Sequence, residues 1–137
     1  MTTACQIYLA LLSAYHVFSG ALSFFFSDTA MRFYKSFYGT DPVEKRHLAL
    51  ILKPWGALSI CAGMAGLTAV PDPASHRGVV LAILTLLVLR VLYRLRYRSE
   101  LQAMSRIPPE RNMANVALLV AGAMILGTWL TQEWIAR

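Results

Sequence analysis

The sequence predicts an all-α integral membrane protein: one domain over residues 1–137, a bundle of four spanning helices, both termini on the non-cytoplasmic side, and a short interfacial amphipathic helix between the first two spans. Three observations carry this reading. Of 137 residues, 57% are hydrophobic and 15% charged, and the mean hydropathy is +0.51, which leaves too few polar residues to cover a soluble domain of this size. The apolar residues gather into four runs, about 5–26, 48–70, 78–95 and 113–135. Each is long enough to cross ~30 Å of hydrocarbon at ~1.5 Å per residue, the third with arginines snorkelling at its end. Finally, the cations are lopsided. Arg32, Lys35, Lys45, Arg46, Lys53, Arg90, Arg94, Arg96, Arg98, Arg106 and Arg111 fall on the side of the first and third connections, and only Arg77 and Arg137 on the other. Eleven against two places both long connections in the cytoplasm, and the bias fits a bacterial inner membrane best. A net charge of +6 is then a matter of topology, and nucleic acid is not an expected partner.

The first run, CQIYLALLSAYHVFSGALSFFF, follows an N-terminus without the cationic stretch of a secretory signal, so it is expected to stay as a permanent helix. His16 is the ionisable residue in its middle. A histidine there suits ligation of haem, chlorin or metal, or a hydrogen bond to a quinone or sterol oxygen. The structural alternative is a neutral imidazole bonded to a neighbouring helix, through Ser59 or Thr68. A bis-histidine haem needs a second histidine at matching depth, and His47 and His76 belong to opposite membrane faces.

The connector SDTAMRFYKSFYGTDPVEKR is patterned. Ser27 or Asp28 caps a short helix on which Met31, Tyr34, Phe37 and Tyr38 share a face, and Gly39 stops it. Such a helix is expected to lie in the interface, aromatics down, as an anchor or as the wall of a portal for a lipophilic ligand. Thr40 or Asp41 then caps the next helix, with Pro42 in its first turn and Glu44 adding favourable charge there.

The second span, LALILKPWGALSICAGMAGLTAV, organises the rest. Gly56, Ser59, Gly63 and Gly66 fall on one side of it, a spacing that lets other helices approach closely where lipid gives no hydrophobic drive to pack. Pro54 favours a bend beside Lys53 and Trp55. The connection PDPASHR is short, so the second and third spans form a tight hairpin, with Asp72 or Ser75 capping the next helix and His76 solvated.

The third span runs on into LRVLYRLRYRSELQAMSR without a break in helical compatibility. Arg90, Arg94 and Arg98 stack at i, i+4 and i+8 with Tyr93 and Tyr97 beside them. Such a column suits anionic lipid, a phosphorylated substrate or an acidic partner. Pro108 and Pro109 break the chain, Glu110 opens the last helix, and Asn115 is its more embedded polar group, able to bond across helices. Trp129 and Trp134 are expected at the outer interface and Trp55 toward the inner one.

Catalytic patterns are not evident. Asp28, Asp41, Glu44, Asp72, Glu100, Glu110 and Glu133 lie in loops or at segment ends, so no intramembrane acid marks a proton path. Cys5 and Cys61 form no CxxC and lie at different depths, and three scattered histidines cannot build a metal cluster. The chain is expected not to be an enzyme and not to hold a metal.

The four-span layout resembles the DoxX-like group of small four-helix membrane proteins. The connector FYKSFYGTDP, with Tyr34, Tyr38 and Pro42, followed by Trp55 and Gly56, is similar to the eukaryotic ergosterol-biosynthesis scaffold family over about Arg32 to Ser59. That resemblance implies a non-catalytic protein that gathers membrane enzymes, or a quinone- or sterol-related accessory subunit.

Two functions are therefore expected. The first is an accessory or scaffold protein that docks other membrane proteins, or a second copy of itself, through its small-residue faces and the column of Arg90, Tyr93, Arg94, Tyr97 and Arg98. The second is a binder of a quinone, sterol or pigment with a redox-linked role, using His16, Tyr34, Tyr38, Trp55 and Asn115. Membrane lipids are partners under either.

Overall fold

The first apolar run stays helical from Thr2 to Phe25 (α1), and the chain then turns on a single residue, Phe26, into α2, Ser27–Tyr38. The computed structural model describes residues 2–39 and 45–135. After α2 come α3 (Lys45–Ala69), α4 (Arg77–Arg96), α5 (Arg98–Ser105) and α6 (Pro109–Ile135), and among the described residues there is no strand. Helices α1, α3, α4 and α6 are long and apolar enough to cross a membrane. The expected caps at Thr40 and Asp41, with Pro42 and Glu44, lie outside the described residues, as do the side chains of Tyr38 and His47.

Helix α1 packs along α3, and the small residues explain how closely. A Cβ added to Gly20 would sit 2.7 Å from the carbonyl oxygen of Gly56, and one added to Gly56 would sit 2.7 Å from that of Gly20. Further along, a Cβ on Gly63 would come 2.7 Å from the Ser13 oxygen, and Gly66 makes room for the Ser13 hydroxyl. The Gly56, Ser59, Gly63 and Gly66 face of α3 is thus filled by α1 of the same chain. It is not free to dock another protein, because Ser13, Val17 and Gly20 supply the complementary surface.

Helices α4 and α6 form a second packed pair. The start of α4 is tied to the end of α6 by Arg77, whose Nη2 lies 2.9 Å from Glu133 Oε2. The ends that meet here are filled with side chains: Cys5 and Leu9 of α1, Ala69 of α3, Val80, Ile83 and Leu87 of α4, and Leu126, Trp129 and Leu130 of α6 form one core cluster. Trp129 is 1% exposed. It belongs to this core and not to an interfacial belt, because its face of α6 meets α1 and α4; Trp134, one turn later, is exposed. Gly122 seats the phenol of Tyr8, which brings α1 against α6.

Several local expectations change. Phe26, not Ser27 or Asp28, occupies the cap position of α2 without a side-chain bond, and Asp28 lies in the first turn, where its charge is favourable. Gly39 does end α2, in the left-handed region at φ 72°, with its N–H bonded to the Lys35 oxygen at 3.0 Å. The aromatic face of α2 turns onto α1: Phe33 meets Phe18 edge-on at 5.8 Å and stacks on Phe37 at 5.6 Å, while Ala30 is buried.

At the α3–α4 connection His76 holds the cap position, and Asp72 instead closes the turn before it by accepting the Ser75 N–H and hydroxyl. His76 donates its Nδ1–H to the Asp72 carbonyl at 3.0 Å, so it is not merely solvated. Helix α4 does not run unbroken into the arginine-rich segment. It ends at Arg96, Tyr97 leaves helical geometry at φ −109° and ψ 29°, and α5 begins at Arg98. The bend brings α5 against the start of α6, with Ile107 buried between them.

Candidate functional site

Where the core cluster ends, the bundle opens. Two open-sided cavities of about 310 Å³ each lie between the helices there. The first lies between α1, α2, α3 and α4 and is lined by His16, Ser19, Tyr34, Trp55, Ser59 and Arg90 among others. The second lies between α1, α2, α4 and α6 and is lined chiefly by Tyr8, Leu11, Leu12, Phe37, Asn115, Leu118 and Leu119. Both share three residues: Tyr15, Arg90 and Arg94.

His16 is 8% exposed, and its Nδ1 lies 3.0 Å from the Ser59 hydroxyl. The interhelical bond is made to Ser59; Thr68 turns back to the Ala65 carbonyl. The Nε2 of His16 is buried and has no hydrogen-bond partner among the described residues. If Ser59 donates to Nδ1, Nε2 carries the proton; if Nδ1 donates, Nε2 is a lone pair. In either tautomer Nε2 is a buried polar atom without a partner, which is costly.

Tyr34 is held on the same wall. Ser23 donates to the Ser19 carbonyl at 2.8 Å, and the Tyr34 phenol lies 2.6 Å from the Ser23 oxygen. With the Ser23 proton directed to Ser19, Tyr34 is the donor to Ser23. Trp55 is 56% exposed and contributes its ring at the cavity mouth, beside Leu52 and Leu58. Tyr15 stands between the two cavities, with its ring edge-on to His16 at 5.5 Å and 6.3 Å from Phe37.

The arginine column divides. Arg90 and Arg94 face inward and line both cavities, while Arg98, beyond the bend, borders a separate small cleft of about 120 Å³ with Gln102, Ile107 and Asn112. Tyr93 and Tyr97 pair with each other at 5.3 Å on the exposed side, with Arg96 over the Tyr97 ring at 5.5 Å. The five residues expected as one docking surface therefore lie on different faces.

The cross-helix amide is Asn112 and not Asn115. Arg94 Nη1 donates to Asn112 Oδ1 at 2.9 Å, and Asn112 Nδ2 donates back to the Arg94 carbonyl at 3.2 Å. Asn115 bonds within its own helix, to Arg111 at 2.8 Å, and presents the rest of its side chain to the second cavity. Asn112 lies one residue from the expected start of the span, which made it read as a terminal residue, although Arg94 lies opposite it. Tyr15 carried no signal beyond adjacency to His16.

The site thus draws together His16, Tyr34, Trp55 and Asn115 with Arg90 and Arg94, groups that sequence placed in two separate functions. Among the described residues no group of three or more histidines, cysteines or acids is arranged to hold a metal, and Cys5 and Cys61 are both free thiols. These features define an all-α chain with four helices able to cross a membrane and a polar-walled cleft at one end of them. Comparison with protein-family models, with curated proteins and with solved structures gave no match.

Proposed function

We propose that this chain is an integral membrane protein that binds a lipophilic molecule with an oxygen-bearing head, of the kind quinones, sterols and pigments present, and performs no chemistry on it. One observation carries this reading. His16, Tyr34, Trp55, Ser59 and Arg90 converge on one cavity of about 310 Å³. Such a cavity is apolar over much of its wall and has a few convergent polar groups, the general character of a small-molecule site. With both termini outside and the connections around α2 and α5 in the cytoplasm, the cleft opens in the cytoplasmic half of the bilayer of a bacterial inner membrane.

A second reading retains one observation in its favour. Tyr93 and Tyr97 are exposed large aromatics beside Arg96 and Arg98, a surface that fits an accessory protein docking a membrane partner.

The test is extraction in a mild detergent, followed by native mass spectrometry and an absorption spectrum of one sample. The binding reading expects a lone chain carrying a stoichiometric small molecule that H16A and W55A both lose. A chain that emerges with protein partners and an empty cleft, and that releases them on Tyr93→Ala with Arg98→Gln, would replace it with the accessory role.

A further inference from the structure

We propose that the two cavities are halves of a single site for an amphiphile whose headgroup is an anionic oxygen group, phosphate or carboxylate, held by Arg90 and Arg94 with its acyl chains in the apolar pockets. The inference rests on the ligand-binding reading above and narrows its ligand. It starts from the shared wall. Two cavities that have Tyr15, Arg90 and Arg94 in common meet at those side chains, so a group bound there has access to both.

Arg90 is the reason for the charge. It has no hydrogen bond or ion pair with any described residue, and the carboxylates among them line neither cavity: Glu133 binds Arg77, Asp72 binds Ser75, Glu100 accepts from Ser99, and Asp28 and Glu110 lie in the first turns of α2 and α6. Arg90 also lies well inside an apolar span. Thirteen residues separate it from Arg77 and six from Arg96, about 20 Å and 9 Å along the helix axis. A guanidinium at that depth without a counter-charge is unfavourable, and intramembrane cations pair or mark a ligand path. A quinone or a sterol would leave that charge uncompensated; a phosphate or carboxylate would not.

The neighbouring groups suit the same occupant. Arg94 lies one turn from Arg90 on the same face, and Asn112 bonds it at 2.9 Å, which fixes its direction. The planar fork of Arg90 matches the oxygens of a phosphate or carboxylate, and Arg94, held by Asn112, adds a second positive charge one turn away. Around them the walls are apolar: Leu52, Leu58 and Leu86 in one cavity, Leu11, Leu118 and Leu119 in the other. A free inorganic anion would gain nothing from those walls, whereas an acyl chain fills them.

The experiment measures thermal midpoints of the full chain, delipidated in a neutral detergent, against increasing phosphatidate, oleate, phosphatidylcholine, a neutral isoprenoid quinone and inorganic phosphate. A ligand that binds only the folded state raises the midpoint with concentration. Phosphatidate and oleate are expected to raise it, and phosphatidylcholine, quinone and inorganic phosphate are not. R90Q is expected to weaken the response by roughly tenfold to a hundredfold, the scale of losing a hydrogen bond to a charged group. R98Q removes the same charge away from both cavities and should respond as the unaltered chain does. If R90Q does not yield folded protein, R90K is read in its place, and a several-fold weaker response is expected because the cation remains and the fork is lost.

A response to inorganic phosphate equal to that of phosphatidate overturns the amphiphile, and equal loss in R90Q and R98Q overturns the site. Stabilisation by quinone or phosphatidylcholine that H16A abolishes and R90Q leaves intact refutes the anionic head while the broader binding reading stands. Absence of any response, with no small molecule in the native mass spectrum, refutes both.

Discussion

Replacing Gly56 with alanine tests whether α1 and α3 are joined by backbone contact. The added Cβ would lie 2.7 Å from the Gly20 carbonyl oxygen, 2.8 Å from the Phe24 nitrogen and 2.9 Å from the Ser23 Cβ. The first two are backbone atoms that no rotamer change moves. Restoring ordinary contact near 3.4 Å requires α1 to retreat by about 0.7 Å, the difference between 3.4 and 2.7. A radial gap of that size forfeits roughly a quarter to a half of each dispersion contact it opens, at about 0.1–0.2 kcal/mol per atom pair. Along this interface the loss falls in the range of about 1–3 kcal/mol found for overpacked interiors. Against it stands a helix-propensity gain of up to about 1 kcal/mol for glycine to alanine. Gly78 and Gly127 isolate that gain, because a Cβ on either meets nothing within 4 Å. Denaturant midpoints in a mild detergent should fall for G56A and stay level or rise for G78A and G127A. The paired variant G20A/G56A should lose less than the sum of its parts, since one retreat of α1 accommodates both methyl groups. Equal midpoints for G56A and G127A would refute the close backbone contact.

Three further outcomes follow from local geometry. Arg106 holds φ at 52° after α5, so R106G is expected to stabilise the chain by about 1 kcal/mol by relieving left-handed strain, read as a higher denaturant midpoint. The Arg77–Glu133 pair is partly exposed on both sides, so a double-mutant cycle with R77Q and E133Q should return a coupling of only about 0.2–1 kcal/mol that shrinks with added salt. The bonds Ser75 donates hold the Asp72 carboxyl below the usual carboxylate range; the folded state therefore takes up this proton less readily than the unfolded one, and the turn's contribution is full above the ordinary aspartate value and lost as pH falls through the lowered one. Thermal midpoints of D72N should be flatter across that acid limb, and an unchanged acid limb would count against the turn.

How much of this was legible depended on whether a pattern had one physical use or several. A 23-residue apolar run has one use, so the spans were readable, and Gly39 after an amphipathic stretch has few conformational roles besides a helix stop. The small face of α3 was readable as a place of close approach. Its partner, the small residues Ser13, Ser19, Gly20 and Ser23 of α1, was not read as a face, and Ser13 and Gly20 gain their meaning opposite Gly63 and Gly56. Arginines at i and i+4 share a face, yet that spacing does not say whether the face looks outward or into a cleft, and the break at Tyr97 that separates Arg98 from them has no breaker residue to announce it. Asn112 and Asn115 both lie on α6, and only the position of Arg94 decides which one bonds across.

The division of the bundle into a filled end and an open end connects these observations. At the filled end, Leu9, Leu87, Leu126 and Trp129 occupy the space between the α1–α3 and α4–α6 pairs. At the other end the glycine contacts keep α3 tight against α1, and Asn112 keeps Arg94 against α6, so neither pair can shift inward without breaking its own contacts. The space between the pairs is left open there. Among the leucines that border it stand His16, Tyr34, Arg90 and Arg94. Leucines in place of His16 and Arg90 would give a packed interior and more stable helix contacts, since leaving a polar group without a partner there is unfavourable. A cavity that keeps the Arg90 guanidinium without a hydrogen bond to any described residue is therefore a poor device for folding and a suitable one for binding, which is why the proposed function is placed there and not on the exposed helix faces.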